Sequence, residues 1–153
     1  RMFVEQLELT IKRVDEEKRP FSILILDIDN FKQINDSYGH EIGDKVIVEF
    51  SSRISRVVGE HGLVARLGGD EFVILIKDFI NEEQVIDTAR QINKLVKQSI
   101  IIQHTHLEIT ASIGISICNQ ETFTASQILR YADEALYNVK SLGKDKFSVY
   151  GAK

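Results

Sequence analysis

Carboxylates stand at two points of the sequence where an apolar run meets a turn. Asp27 follows the apolar run at residues 21–26, and Asp70 and Glu71 lie in a short Gly-Gly-containing segment between two further apolar runs. If the strand that begins at Phe72 pairs beside the first strand, all three carboxylates converge at one edge of a sheet. Such a site suits Mg²⁺, which is usually held by one or two carboxylates while substrate phosphates and water complete its octahedron. The alternative is a solvated acidic turn plus an ordinary hairpin, and it is favoured for either segment taken alone.

Hydrophobic patterns predict the strands that carry these carboxylates. Residues 21–26 form a near-continuous apolar run, which is typical of a strand buried on both faces, and the run ends in acid at Asp27 and Asp29. The apolar runs at residues 63–67 and 72–76 flank the Gly-Gly segment and predict a β-hairpin. Three further strands are predicted at residues 100–103, 107–118 and 147–149.

Helical spacing of apolar residues predicts four helices around these strands. Strands that alternate with helices, with a hairpin in the middle, predict one domain over residues 1–153, built as a mixed sheet covered by helices. The residues that mark the helices are Phe3, Leu7, Ile11 and Val14; Ile42, Val46, Ile47, Phe50, Ile54 and Val57; Val85, Ala89, Ile92 and Val96; and Ile128, Ala132, Ala135 and Val139.

Composition and charge exclude several classes of function. The 153 residues are 43% hydrophobic and 27% charged, which fits a globular domain with its own core. The formal net charge is −4 and no run of Lys and Arg forms a phosphate-tracking stripe, so we expect no nucleic-acid partner. No apolar run approaches the ~20 residues of a membrane span, so we expect no membrane contact by this domain. The single cysteine, Cys118, is interpreted as a small buried hydrophobe, and the lack of a disulfide framework favours a cytoplasmic location.

Four motifs in order extend the acidic pattern over nearly the whole chain. They read DIDNFKQINDSYGHEIGD at residues 27–44, RLGGDEF at 66–72, ASIGIS at 111–116 and YADEALYNVK at 131–140, followed by Gly143 and Lys144. With these motifs the sequence resembles a GGDEF domain, the catalytic domain of diguanylate cyclases. The family's usual opening, an Asp-x-Leu-Thr turn ahead of Asn-Arg, is missing, and Arg1 stands where that arginine would be. We therefore expect a longer parent signalling protein with an N-terminal sensory or dimerisation module, which can itself be membrane-anchored.

The resemblance implies a fold and a reaction. The fold is α+β, a ferredoxin-like palm with a mixed, mainly antiparallel central sheet flanked by helices, related to nucleotide cyclase catalytic domains and polymerases. The reaction joins two GTP molecules into cyclic di-GMP and releases two pyrophosphates, because the 3′-OH of each GTP attacks the α-phosphate of the other. Each subunit of a homodimer supplies half of the active site, and two Mg²⁺ or Mn²⁺ ions per active site lower the pKa of the hydroxyl and stabilise the developing charge.

The resemblance also implies roles for the carboxylates. By similarity, Asp27, the carbonyl of Ile28 and Asp70 hold the metals. Asp70 also assists removal of the hydroxyl proton, and Glu71 is a secondary catalytic carboxylate that ranks below it.

The phosphates, by the same resemblance, meet glycines and cations. A side chain at Gly68 or Gly69 would obstruct the approach of phosphates to the turn, although turn geometry alone also explains both glycines. Lysines at the end of the last helix also favour the helix dipole without any ligand. The family places on the triphosphate the side chains of Lys32, Lys140 and Lys144 and the backbone of Asn30 and Phe31.

Asn35 and Asp44 are placed by the resemblance at the guanine. A carboxylate can accept hydrogen bonds from the ring N1–H and the exocyclic amine, while an amide both donates and accepts. Without the resemblance, Asn35 would be interpreted as a cap and Asp44 as a first-turn acid. His40 resembles the family's substrate-side histidine, although a lone loop histidine is more often structural.

The sequence departs from the family pattern in two places. Lys144 stands where arginine is usual and Asp145 where asparagine is usual; a lysine keeps the charge but loses the bidentate fork, so we expect weaker GTP binding. Many members carry an Arg-x-x-Asp motif that binds cyclic di-GMP and shuts off the enzyme. The matching stretch here is GEHG at residues 59–62. We therefore predict no product-inhibition site of that kind.

Three other functions are weighed against a cyclase. A degenerate domain that binds GTP as a regulatory module is disfavoured by the intact GGDEF segment with Asp27, Asn35 and Asp44. A single-nucleotide or hybrid dinucleotide cyclase would need a different base-reading residue, and Asp44 favours guanine. A template-dependent polymerase palm would need a basic nucleic-acid track, which is missing.

Overall fold

A computed structural model describes residues 2–16, 19–118 and 124–151. Helices, single strands and hairpins follow one another along the described part of the chain, and a short 3₁₀ turn at Gly59–His61 precedes the second strand. Their bounds are α1 Met2–Glu16, β1 Phe21–Ile28, α2 Phe31–Tyr38, α3 His40–Val58, β2 Gly62–Gly68, β3 Glu71–Lys77, α4 Glu82–Val96, β4 Ile100–Ile102, β5 Thr105–Leu107, β6 Ala111–Cys118, α5 Ala125–Ser141 and β7 Lys146–Val149.

Five strands form the central sheet, in the order β2-β3-β1-β6-β7. All neighbours are antiparallel except β6 and β7, which are parallel. The predicted α+β fold with a mixed, mainly antiparallel sheet flanked by helices is therefore confirmed. Because β1 is the middle strand, its carboxyl end lies between the β2–β3 hairpin on one side and the start of β6 on the other.

Both faces of β1 are buried, as the apolar run at residues 21–26 predicts. Leu24 and Leu26 pack into a core with α3 and α4, whereas Ile23 and Ile25 pack into a second core with α1 and α5. Alternation along a strand sends successive side chains to opposite faces, so one strand joins two helical layers. Cys118 is buried at 5% exposure, in agreement with its interpretation as a small hydrophobe.

Two local predictions differ from the structure. The strand predicted over residues 107–118 is broken at residues 108–110, and β5 pairs with β4 in a separate hairpin. The break lies where Thr110 bonds to Asp29 through both its carbonyl and its hydroxyl. The short helix α2 carries no fully buried residue, so its apolar pattern did not predict it. In α1, the helix predicted from Phe3, Leu7, Ile11 and Val14 is present and Ile11 is 2% exposed, while the other three side chains lie outside those described.

Arg53 ties α3 to the end of α4. Its side chain is 7% exposed, and its guanidinium donates to the carbonyls of Leu95, Val96, Gln98 and Ser99 at distances of 2.7–3.2 Å. Its Nε also donates to Glu49, 2.8 Å away. A cation at the carbonyl end of a helix satisfies groups that lack helical partners. Among the described residues, no helix is both long enough and apolar enough to cross a lipid bilayer.

Candidate active site

The carboxylates predicted to converge lie at one end of the sheet. β3 pairs beside β1, which was the condition for their convergence, and Asp27 lies directly opposite Glu71 in the register. Asp70 occupies the tip of the β2–β3 hairpin, immediately before Glu71. The cluster is therefore built from the end of a buried strand and the start of its neighbour.

Burial and mutual repulsion perturb this cluster. Burial raises the pKa of Asp27 above its usual value, and Asp70 and Asp29 add to that rise while Lys140 opposes it. Burial also raises the pKa of Glu71, with further contributions from Asp133 and Asp27. Like charges held together in a partly dehydrated place favour a cation among them.

Lys140 supplies a cation to this cluster in the structure. Its Nζ donates to Asp27 Oδ2 at 2.5 Å. Burial alone lowers the pKa of Lys140, but the hydrogen bond and the charge of Asp27, together with Asp70 and Glu71, outweigh it and the pKa is raised. The family resemblance gave Lys140 to the phosphates, so its contact with Asp27 is a feature that the sequence did not predict.

The second oxygen of Asp27 fits a metal ion. Asp27 Oδ1 is buried and has no hydrogen-bond partner among the described residues. Within that part of the chain, no group of three or more His, Cys, Asp or Glu side chains forms a ready-made metal cage. Mg²⁺ does not require one, since one or two carboxylates with phosphates and water complete its shell. Asp27 and Asp70, with the carbonyl of Ile28 next to Asp27, are the groups here that could hold it.

Asp29 is not available as a ligand, although it follows the same strand. Its carboxylate accepts hydrogen bonds from Thr110 Oγ1 at 2.6 Å, Ser112 Oγ at 2.6 Å and the backbone N–H of Asp145 at 3.0 Å. Asp29 thus joins β1 to β6 and to the turn between α5 and β7. The partners of Asp29 lie 81 to 116 residues away along the chain, so this role leaves no local pattern in the sequence.

Lys144, in the turn after α5, contacts the residue that precedes α2. Lys144 and Asp145 have φ values of 67° and 51°, and Lys144 Nζ donates to Asn30 Oδ1 at 2.8 Å. Asn30 is the N-cap residue of α2, but its side chain makes no capping bond. The first-turn N–H groups of α2, from Phe31 onward, have no side-chain cap and favour an anion.

The hairpin tip has the geometry that glycines allow. Gly68 and Gly69 have φ values of 154° and 52°, which a side chain disfavours, so the turn itself explains both residues. A Cβ at either position would meet nothing within 4 Å, so the space outside the turn is open. Arg66 Nε donates to the carbonyl of Gly69 at 2.8 Å and closes the turn.

Asn35 on α2 meets α3 at the junction of the two helices. Asn35 is half-buried and its side chain lies against Gly43, the residue directly before Asp44. Asp44 is exposed, as are Lys32 on α2 and His40 at the start of α3. No hydrogen bond or ion pair in the described part of the chain joins Lys32 or His40 to the carboxylate cluster.

Residues 59–62 are where the family's product site would lie, and the structure leaves no room there for the aspartate side chain of the Arg-x-x-Asp motif. Gly62 begins β2, and a Cβ there would lie 2.3 Å from the carbonyl oxygen of Leu75. A cavity of about 380 Å³ adjoins this segment, and its lining includes the carboxylates of Asp78 and Asp87.

Comparison with protein families and curated proteins gives consistent matches. The profile of the family described as "Diguanylate cyclase, GGDEF domain" matches residues 1–146. The bifunctional diguanylate cyclase/cyclic di-GMP phosphodiesterase MucR of Pseudomonas aeruginosa is 36% identical over 95% of this chain and 21% of its own length. The response regulator PleD of Caulobacter vibrioides is 36% identical over 95% of this chain and 32% of its own. The chain thus spans a third or less of these relatives.

Solved structures match over nearly the whole chain. The GGDEF domain of PA1120 (YfiN or TpbB) from Pseudomonas aeruginosa has a TM-score of 0.91 at 29% identity, covering 99% of this chain and 95% of that one. The GGDEF domain of DgcB from Caulobacter crescentus, in complex with c-di-GMP, also has a TM-score of 0.91, at 27% identity, covering 98% of this chain and 89% of that one.

Proposed function

This chain belongs to the GGDEF domain family, and from that membership we propose that it is a diguanylate cyclase domain that condenses two GTP molecules into cyclic di-GMP in the cytoplasm. The observation that carries the proposal is the convergence of Asp27, Asp70 and Glu71 at one end of the sheet, with Lys140 held against Asp27. Curated relatives named as diguanylate cyclases support the same activity.

One GTP lies along α2, with its phosphates at the start of that helix and its base at the far end. The phosphate end has the uncapped N–H groups of α2, Lys144 beside Asn30, and the open hairpin turn at Gly68 and Gly69. Lys32 on α2 and His40 at the start of α3 add further polar side chains. A helix of eight residues is about 12 Å long, which separates the two ends of the ligand.

The base end reads guanine through Asn35 and Asp44. Asp44 accepts from the two donors on the guanine edge, and Asn35 contributes an amide that donates and accepts. Adenine lacks those donors and leaves Asp44 unpaired, so ATP binds far more weakly than GTP.

The chain's own groups prepare the phosphoryl transfer. Asp27, the carbonyl of Ile28 and Asp70 would hold two divalent cations, Mg²⁺ or Mn²⁺, which would lower the pKa of the attacking hydroxyl and neutralise charge on the phosphates. Asp70 accepts the proton of the 3′-OH, and Glu71 adds negative charge beside it. When GTP binds, Lys140 leaves Asp27 and contacts the terminal phosphates. Together with Lys144 it stabilises the departing pyrophosphate. In each transfer the O3′–Pα bond forms as the bond from Pα to pyrophosphate breaks.

Two copies of the domain are needed for a cyclic product. Each chain offers one triphosphate end and one base-reading pair, whereas the product contains two guanines. Two GTP-loaded copies therefore face each other as a homodimer, and each hydroxyl attacks the nucleotide of the other copy.

The test is to incubate the domain with GTP and Mg²⁺ and resolve the products by chromatography. We expect cyclic di-GMP and pyrophosphate, at a rate that rises with about the square of the protein concentration while dimers are scarce. Asp70→Ala should abolish the product, whereas Asp87→Ala, which removes an exposed aspartate on α4, should leave the rate unchanged. A folded Asp70→Ala variant with most of the wild-type turnover contradicts the assigned role.

Product feedback through a separate site is not expected. Gly59 and Gly62 offer no side chains for the family's Arg-x-x-Asp clamp, and the backbone of Leu75 leaves no room for one at position 62. Cyclic di-GMP should therefore inhibit only by competing with GTP. Inhibition at low product concentration that added GTP does not relieve would refute this expectation.

A further inference from the structure

Gly43 stands inside α3 at a position where a glycine weakens the helix. Gly43 is buried and precedes Asp44, and it is not among the residues with positive φ. Turn geometry therefore does not explain it, and alanine would favour the helix. The helix retains a destabilising residue that its own conformation does not require.

The missing side chain makes room for Asn35. A Cβ at Gly43 would lie 1.8 Å from Asn35 Oδ1 and 3.0 Å from Asn35 Cγ, with Phe31 Cζ at an ordinary 3.4 Å. The Asn35 amide makes no hydrogen bond to any other described residue, and its close neighbour is the α3 backbone at Gly43. A methyl group here would displace the amide.

Two other glycines in close contact differ from Gly43 in what they touch. A Cβ at Gly114 would meet the backbone of α5, 2.1 Å from the carbonyl oxygen of Ala132, and one at Gly62 would meet the backbone of β3. Backbone in packed elements cannot yield, so those glycines are needed for packing. The atom that faces Gly43 is the end of a flexible side chain, which can turn away without disturbing the fold.

We propose that Gly43 is a positioning residue for base recognition: its missing side chain seats the Asn35 amide against α3, next to Asp44. This role rests on the proposed function, in which Asn35 and Asp44 read guanine. The two groups come from different helices, and Gly43 sets the distance between them. With a side chain at position 43, Asn35 moves outward and Asp44 reads the guanine edge alone.

Binding and turnover test the proposal. Titration calorimetry uses guanosine and adenosine triphosphates with a methylene group between the α- and β-phosphates, which blocks the reaction, in the presence of Mg²⁺. Gly43→Ala should weaken the guanosine analogue about tenfold, equivalent to one well-made hydrogen bond, and change the adenosine analogue by less than about twofold. With GTP itself, KM should rise while kcat changes little, because the metal and phosphate groups are untouched.

A double-mutant cycle identifies Asn35 as the intermediary. In an Asn35→Ala background, Gly43→Ala should have no further effect on guanosine binding beyond about twofold, since the displaced amide is already gone. Gly43→Ala should melt at or above the wild-type temperature, whereas the control Gly114→Ala should melt far below it.

Each contrary result has one meaning. Equal guanosine affinity for Gly43→Ala and wild type overturns the role of Gly43 but leaves the proposed function intact. The same is true if Gly43→Ala weakens binding equally with and without Asn35, or melts as low as Gly114→Ala. A wild-type protein that binds no guanosine analogue overturns the proposed function and the role of Gly43 with it.

Discussion

Replacing Arg53 with methionine should be among the more costly single changes in this domain. Methionine keeps much of the side-chain length and apolar stem but removes the guanidinium that donates to the carbonyls of Leu95, Val96, Gln98 and Ser99. A hydrogen bond to a charged group contributes roughly 1.5–3 kcal/mol, but neighbouring bonds are not additive. Removing one partner from a buried charged network costs about 3–5 kcal/mol. For a chain of this size, that loss lowers the melting temperature by about 6–20 °C.

Urea denaturation followed by circular dichroism measures the free energy of unfolding, and calorimetry gives the melting temperature. Glu49→Gln is the matched control: it removes the charge that faces Arg53 Nε from a half-exposed position while leaving the four carbonyl bonds, so it should cost less than about 1 kcal/mol. Arg53→Lys should lie between the two, because a single ammonium cannot reach four carbonyls at once. An Arg53→Met variant within about 1 kcal/mol of wild type would show that water replaces the guanidinium at the end of α4 at little cost, and the reasoning would be wrong.

Three further changes test the packing and the site. Gly114→Ala should lower the free energy of unfolding by about 3 kcal/mol or more, because the new methyl group meets the backbone of α5. A melting temperature near that of wild type would contradict the close approach of Gly114 to α5. Burial raises the pKa of Glu71 in the folded protein, so the protein loses stability as pH rises from the ordinary value of 4.5 through the raised pKa. Glu71→Gln should therefore melt at a higher temperature than wild type at neutral pH, and this difference should disappear in acid. A difference in melting temperature that stays constant across pH would contradict this prediction. Asp29→Asn should lower stability by about 2 kcal/mol and weaken GTP binding, because the carboxylate that orders the Lys144 turn is lost; unchanged melting and affinity would refute this.

The sequence predicted the elements of the site better than its contacts. The apolar run before Asp27 and the hairpin around Gly68 and Gly69 were both recognisable, because strands buried on both faces and glycine turns leave a local pattern. The pairing of β1 with β3 remained a condition, since register between strands is not encoded locally. The helix α2 was missed because eight residues on a half-exposed surface give too short a periodic signal.

The contacts that sequence could not predict are those between distant segments. Lys140 meets Asp27 across 113 residues, and Asp29 meets Asp145 across 116. Their spacing along the chain carries no trace of that proximity. The family resemblance placed Lys140 on a phosphate, which describes the role proposed for the nucleotide-bound state, whereas the structure shows it on Asp27. Asn35 was identified through the resemblance, but the reason for the glycine beside it emerged only from the packing of α2 against α3.

The contacts of Lys140 with Asp27 and of Asp145 with Asp29 join segments far apart in the sequence, and this has a consequence for biosynthesis. As the chain leaves the ribosome, the strand that bears Asp27 appears early, but its cationic partner and the turn held by Asp29 appear more than a hundred residues later. The central strand lacks its neighbour β6 until the residues from 111 onward have emerged, and Asp27 lacks its cationic partner until Lys140 follows. Contacts of such long range form late and slowly. On the proposed function, a nascent domain completes the phosphate end of the site only after α5 has docked, and we expect nucleotide binding to begin only then.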